Sequence, residues 1–413
     1  MKHNIHHRIV CAVCALALLV TGLSPVAAFA QEDEAAAPQT LTAAQVREMQ
    51  QADDAVTALT DSTAYADMTA DEREAAALQQ LDALVEQGLV AKGSIYVDEE
   101  NDMVSFAYSC GALGGILLAD PDESEAGSAA AALQDEMAQA LAAAQTEEEN
   151  SADAEDENRA IGKAIIYYAF DNGQNSSRYP YYPYMRDYWG TAGLATKLER
   201  MVTVSSLRKM GEYDLAVISA HGAYYTYQYG WLWKRQATQP LILLLEKSDF
   251  WNDLRYGMDL LSHRVIKING AYAVTGDFFR AAYRGGQLHD TIVISETCEF
   301  YGRSGHLDTS IVDALLDSGA KAVVGFINNV YSVYSRSMLW AMVNRMLEGQ
   351  TVQQAMEYGM QVYGEDDVIW YRNQNTMRPA HAVASYAIIS GDAEARLTQP
   401  TASAAMHNVQ DAA

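Results

Sequence analysis

The chain has 413 residues, with 54 acidic side chains against 28 lysines and arginines and a formal net charge of −26. The acidity is uneven: residues 31 to 160 hold roughly 30 acids against about 4 basic groups, while the remainder nearly balances. Phosphate contacts need a basic face, so the balance excludes nucleic acid as a partner of the whole protein.

The first thirty residues have a basic start (Lys2, Arg8), an apolar stretch from Ile9 to Leu23, the breaker Ser24-Pro25 and the small-residue site Ala28-Phe29-Ala30. These are the parts of a secretory signal peptide. The apolar stretch is shorter than the roughly 20 residues a spanning helix needs, and no later run reaches that length, so export without stable membrane insertion is expected. Removal of the signal leaves Cys110 and Cys298. Two cysteines do not make a disulfide framework, although a bridge between them would mask either thiol.

Residues 31–120 read as a small acidic α+β module. Leu78, Leu81, Leu84 and Val85 share one face of a helix over 71–86, and Gly88 stops it. The runs 94–97 and 103–108 flank a polar turn and predict a β-hairpin. Residues 121–160 are rich in Ala, Glu and Asp and lack aromatic residues, the composition of a solvated linker with one Ala-rich helix over 128–144. Arg159 is the only basic residue between Lys92 and Lys163.

From residue 161 to 397 strands alternate with helices. Strands are expected over 163–170, 214–220, 291–297, 320–327 and 386–392, and helices over 192–201, 205–210, 308–317 and 332–347. A Tyr-rich loop precedes residue 192, and a long insertion with hairpin-like pieces lies between the second and third strands. This alternation predicts an α/β fold with a mainly parallel sheet flanked by helices. Residues 398–413 read as a flexible tail.

Two strands end in reactive side chains: Asp214-Leu-Ala-Val-Ile-Ser-Ala-His221-Gly222, and Thr291-Ile-Val-Ile-Ser-Glu-Thr-Cys298. Parallel sheets deliver functional groups at the carboxyl ends of their strands, so a His and a Cys in these places suggest a cysteine nucleophile with an acid/base partner. A lone Cys in such a place is more often a core residue, and a lone His-Gly a turn. Their joint occurrence favours chemistry.

The arrangement resembles the caspase-like clan of cysteine peptidases, which includes clostripain, gingipain, legumain, the caspases and CHAT-type peptidases. Ala220-His221-Gly222 matches the clan's His-Gly strand end, and Glu296-Thr297-Cys298 its acidic or Gln, small, Cys end. Residues 318–326 and 386–392 resemble its later core strands. The resemblance covers roughly residues 160 to 397 and is closest in character to clostripain-like peptidases. It implies a His221/Cys298 dyad, with the backbone N–H groups of Gly222 and Cys298 receiving the oxyanion. Glu296 would line the substrate pocket, favouring Arg or Lys, or Asn on a legumain analogy.

Asp171 stands near the site and is a candidate for the same pocket, or simply a turn residue. With a basic preference, Arg159 becomes a self-processing site whose cleavage on its carboxyl side releases the acidic N-terminal segment through Arg159 as a pro-region; the alternative is a permanent accessory domain. The expected function is a secreted cysteine endopeptidase made as a zymogen, with protein or peptide substrates and its own pro-region as partners. No cofactor is called for, and the histidines show no metal-ligand spacing. The alternatives are a pseudo-peptidase or non-catalytic extracellular binding protein using tyrosines such as those at 224, 225, 227 and 229, and a legumain-like peptidase or ligase. Phe300 and Tyr301 precede Gly302 where caspases and legumain place a Gly sooner, a departure that would reshape the pocket.

Overall fold

The computed structural model describes residues 40–118, 127–151, 161–169, 181–230, 234–373 and 383–397. The expected signal peptide, Arg159, Asp171 and the C-terminal tail lie outside the described residues.

The N-terminal segment opens with the helix Ala43–Thr60, closed at its start by a capping box from Thr42 and Gln45. The expected amphipathic helix is Ala70–Glu86, capped in the same way by Thr69 and Glu72. The expected hairpin is present as β1 (Tyr96–Asp98) and β2 (Met103–Ala107), but a third strand, β3 (Leu113–Leu117), extends it. Glycines at 114 and 115 depress strand propensity there, yet added Cβ atoms would strike Phe106, Tyr108 and Ile268, so close packing requires them.

The expected solvated linker is mostly a docked helix, Gly127–Ser151. Its Ala130, Leu133 and Met137 are buried in the same cluster as Trp340 and Met338, which makes this segment part of the fold. Strand β4 (Gly162–Tyr168) follows. The next stretch departs from expectation: the Tyr-rich loop contains the helix Tyr181–Thr191, and in place of the helix expected over 192–201 stands the strand β5, Leu194–Glu199. The polar composition of β5 hid it, because it is the edge strand of its sheet.

Next come β6 (Leu215–Ser219) and the insertion, built from β7 (Gly222–Tyr229), β8 (Arg235–Lys247), the short helix Phe250–Arg255, β9 (Val265–Ile268) and β10 (Ala271–Val274). β11 (Ile292–Ser295), the small hairpin β12 (Gly302–Arg303) and β13 (His306–Leu307), β14 (Ala322–Phe326) and β15 (Ala387–Gly391) complete the chain.

Six of these strands make one sheet in the order β15-β14-β11-β6-β4-β5, parallel throughout except for β15. Residues alternate across it. Ile165, Ala216, Ile218, Val293 and Val323 join one core cluster, whereas Ile166, Leu215, Val217, Ile294 and Val324 join another on the opposite face. Burial on both faces explains why these strands read as continuous apolar runs. The chain is therefore a mixed α/β protein with a mainly parallel sheet.

A second, seven-stranded sheet runs β1-β2-β3-β9-β10-β8-β7. It combines the N-terminal hairpin with the insertion, joined by parallel pairing of Gly114 with Lys267 and Gly115 with Ile268. β7 lies beside β1 and β2, so the sheet curls around an interior that includes Met103, Leu113, Tyr225, Leu241 and Ile266. The N-terminal segment is continuous with the rest: Val46, Leu81 and Phe106 share one core cluster with Ile165 and Val293.

Candidate active site

β6 and β11 are adjacent parallel strands, with Ile218 paired to Ser295. His221 lies three residues beyond Ile218 and Cys298 three beyond Ser295, so the register brings both to the same level above the carboxyl edge of the sheet. The ladder continues one step past the strands, where the Glu296 N–H donates to the Ile218 carbonyl at 2.8 Å.

Beyond this edge the chain turns from one sheet into the other: β6 ends at Ser219 and β7 begins at Gly222. The Leu243 N–H donates to the His221 carbonyl at 2.9 Å. In an antiparallel pair, bonded and non-bonded positions alternate, so the N–H of Gly222 turns away from β8. A Cβ on Gly222 would run into the carbonyl oxygen of Cys298 and the methyl of Thr297. Glycine is thus dictated by close approach of the two backbones, the same approach that sets the Gly222 and Cys298 peptides side by side.

Cys298 is half-buried, and its thiol donates to the Val330 carbonyl at 3.6 Å. The following residue, Glu299, adopts a left-handed backbone with φ of 54°, which re-aims the chain after the strand. Its N–H donates to the Asn328 carbonyl at 2.8 Å, and its carbonyl accepts from Gly302 at 2.8 Å. Phe300 and Tyr301 point inward and are buried, with Phe300 filling the space beside Gly325. The late glycine therefore accommodates two core anchors. Gly302 itself has a φ of 91° and packs against the backbone of 306–308.

Burial draws the His221 imidazole down from its ordinary 6.5 to about 4, so the ring is neutral at neutral pH. A neutral imidazole at a strand end is equipped to take a proton from a neighbouring thiol. An imidazolium would not be.

Glu296 is only 5% exposed. Its carboxylate accepts from the Tyr182 hydroxyl at 2.6 Å and from Ser335 at 3.2 Å, and Tyr182 also meets Ser219 at 2.5 Å. Arg336, itself buried, donates from Nε to the Tyr182 oxygen at 3.2 Å and lies over the rings of Tyr181 and Tyr182. Burial raises the Glu296 carboxyl above its ordinary range, while the charge of Arg336 and the hydroxyl donors oppose that shift. Ser335 and Arg336 carry no mark in the sequence, and Tyr182 stands there only as one tyrosine of the Tyr-rich loop. The only available signal was the burial of a carboxylate, which requires donors close by.

Arg303 was missed as well. It holds Glu299 in a two-point contact at 2.6 and 3.0 Å, donates to Asn101 at 2.8 Å and Glu100 at 3.3 Å, and lies over the Tyr224 ring at 5.1 Å. The loop that follows Cys298 is thereby tied to the turn of the N-terminal hairpin.

The tyrosines of β7 do not form one platform. Tyr224 and Tyr225 are buried, and Tyr225 donates to the Gly114 carbonyl at 2.8 Å, while only Tyr229 is openly exposed. Cys110 and Cys298 are not joined in a disulfide, and burial pushes the Cys110 thiol up. Among the described residues no cluster of three or more His, Cys, Asp or Glu is placed to hold a metal, and no helix is long and apolar enough to cross a membrane. No protein-family model matches the chain, and no curated protein matches it.

Proposed function

We propose that this protein is a caspase-like cysteine endopeptidase, exported through its N-terminal signal, with Cys298 as nucleophile and His221 as its acid/base partner. The observation that supports this most directly is the shared register: equal offsets from a paired position put a His and a Cys over one edge of a parallel sheet, on neighbouring strands. The single antiparallel edge strand and the Gly222 approach to Cys298 fit the same reading.

In this account the neutral His221 takes the thiol proton as the sulfur attacks the peptide carbonyl. The tetrahedral oxygen is received by the N–H groups of Gly222 and Cys298. His221 then returns the proton to the leaving amine, and water resolves the acyl-enzyme. At rest the thiol donates to the Val330 carbonyl.

The narrower expectation, a preference for Arg or Lys through Glu296, has less to rest on. Both Glu296 oxygens already accept hydroxyl donors, and a buried guanidinium supplies positive charge nearby. We assign Glu296 to bracing the wall beneath the nucleophile, with side-chain preference read by other groups. Self-processing at Arg159 depends on a basic preference at the site. Intact-mass analysis of residues 31–413 beside Cys298→Ala tests it: a cut after Arg159 in the wild type alone supports both the basic preference and self-processing, and an uncut wild type removes self-processing.

A further inference from the structure

We infer that residues 40–151 are a permanent half of this protein, which remains bound to residues 161–397 when the chain is cut between them. They are not a releasable pro-region. The inference rests on structure alone and applies whichever protease makes the cut.

Four independent attachments carry it. The first is the sheet: β3 from the N-terminal half supplies the neighbour of β9, and its loss would expose an open edge and the interior of the curled sheet.

The second is a buried charge cluster. Lys267 on β9 is fully enclosed, paired with Asp53 from the helix Ala43–Thr60 and with Asp253 from the insertion at 2.8 Å. Tyr108 and Ser248 also donate to Asp53, and Tyr272 donates to Asp253 at 2.8 Å. Burial raises the Asp53 carboxyl above its ordinary range, with the Lys267 ammonium opposing that shift. Withdrawal of Asp53 would leave the Lys267 ammonium and the Ser248 hydroxyl short of an acceptor in the interior, and a buried donor that loses its partner bears the full cost of desolvation.

Third, Arg303 ties Glu299, next to Cys298, to Glu100 and Asn101 of the hairpin turn. Fourth, the helix Gly127–Ser151 packs on the opposite side of the molecule, where the Tyr181 hydroxyl donates to the Ala130 carbonyl at 3.0 Å and Trp340 Nε1 to Glu136 at 3.0 Å. Residues 40–151 thus grip the catalytic half through both faces of its parallel sheet. A proteolytic cut between 151 and 161 breaks one peptide bond and none of these contacts.

The test uses residues 31–413 carrying Cys298→Ala, with residues 153–158 replaced by the recognition sequence of a site-specific protease. Inactivating Cys298 makes the outcome independent of whether the chain is a peptidase. After complete cutting, shown by denaturing electrophoresis, the sample is run on a sizing column in native buffer. The expected result is one peak at the elution volume of the uncut chain, containing both fragments in equal amounts. A separate peak for the N-terminal fragment, or precipitation of either fragment, overturns the inference.

Discussion

The backbone of Gly222 packs directly onto the carbonyl of Cys298, closely enough that no side chain fits between them. This contact joins the segments that follow β6 and β11 and sets the distance between Gly222 and Cys298. Gly222→Ala forces the Cys298 loop away. Because displacement of about 1 Å costs on the order of 10²-fold in rate, kcat/KM on a cleaved peptide should fall by at least that factor. Steady-state kinetics with a circular-dichroism control checks it, and an unchanged rate in a folded variant would show that the spacing is irrelevant.

His221 sets a pH dependence whose sign is fixed. Its folded pKa of about 4 lies below the ordinary 6.5, so between these values an unfolded chain binds a proton that the folded one refuses. The contribution of this residue to stability is full above pH 6.5 and declines as pH falls to about 4. NMR titration of the His221 ring should give a midpoint near 4, and the acid limb of kcat/KM should extend well below 6.5. A ring midpoint at or above 6.5 contradicts the neutral-imidazole account.

Arg336 and Glu296 should differ sharply in their tolerance to change. Arg336→Met removes the positive charge nearest a buried carboxylate and should cost about 3–5 kcal/mol of unfolding free energy. Glu296→Gln keeps an acceptor for Tyr182 and should cost less than half of that. Urea denaturation compares them, and the cleavage-site profile of Glu296→Gln should match the wild type. Loss of Arg and Lys cleavage in that variant would return Glu296 to the substrate pocket.

Arg303 acts through Glu299, so it is a positioning residue. Arg303→Gln should lower kcat several-fold with KM unchanged, and Arg303→Lys should recover only part of the loss because it cannot hold both carboxylate oxygens. Parallel losses in kcat and melting temperature that track one another would reduce its role to general stability.

Much of the parallel sheet was legible because its strands are buried on both faces: 214–220 and 291–297 read as apolar runs with reactive ends and appear as Leu215–Ser219 and Ile292–Ser295. The helix 332–347 has the bounds expected. What could not be read was distant pairing. β3 and β9 are separated by roughly 150 residues of chain, and neither carries a local mark of the other. Lys267 looked like an ordinary polar strand position, although it is the centre of a buried charge cluster. The Tyr-rich region, read as a loop, contains a helix with Pro183 in its first turn, where Pro is tolerated. Of the candidate site, His221, Gly222 and Cys298 are marked by their places at strand ends, while Arg303, Tyr182 and Arg336 stand on other segments with no local sign of their partners.

The central claim is that Cys298 and His221 cleave peptide bonds. The most direct measurement is incubation of reduced residues 31–413 with a diverse synthetic peptide mixture, with product sequencing by mass spectrometry, beside Cys298→Ala and His221→Ala. The account predicts internal cleavages in the wild type that are absent from both variants. Identical products from all three proteins, or no cleavage by the wild type, would contradict it.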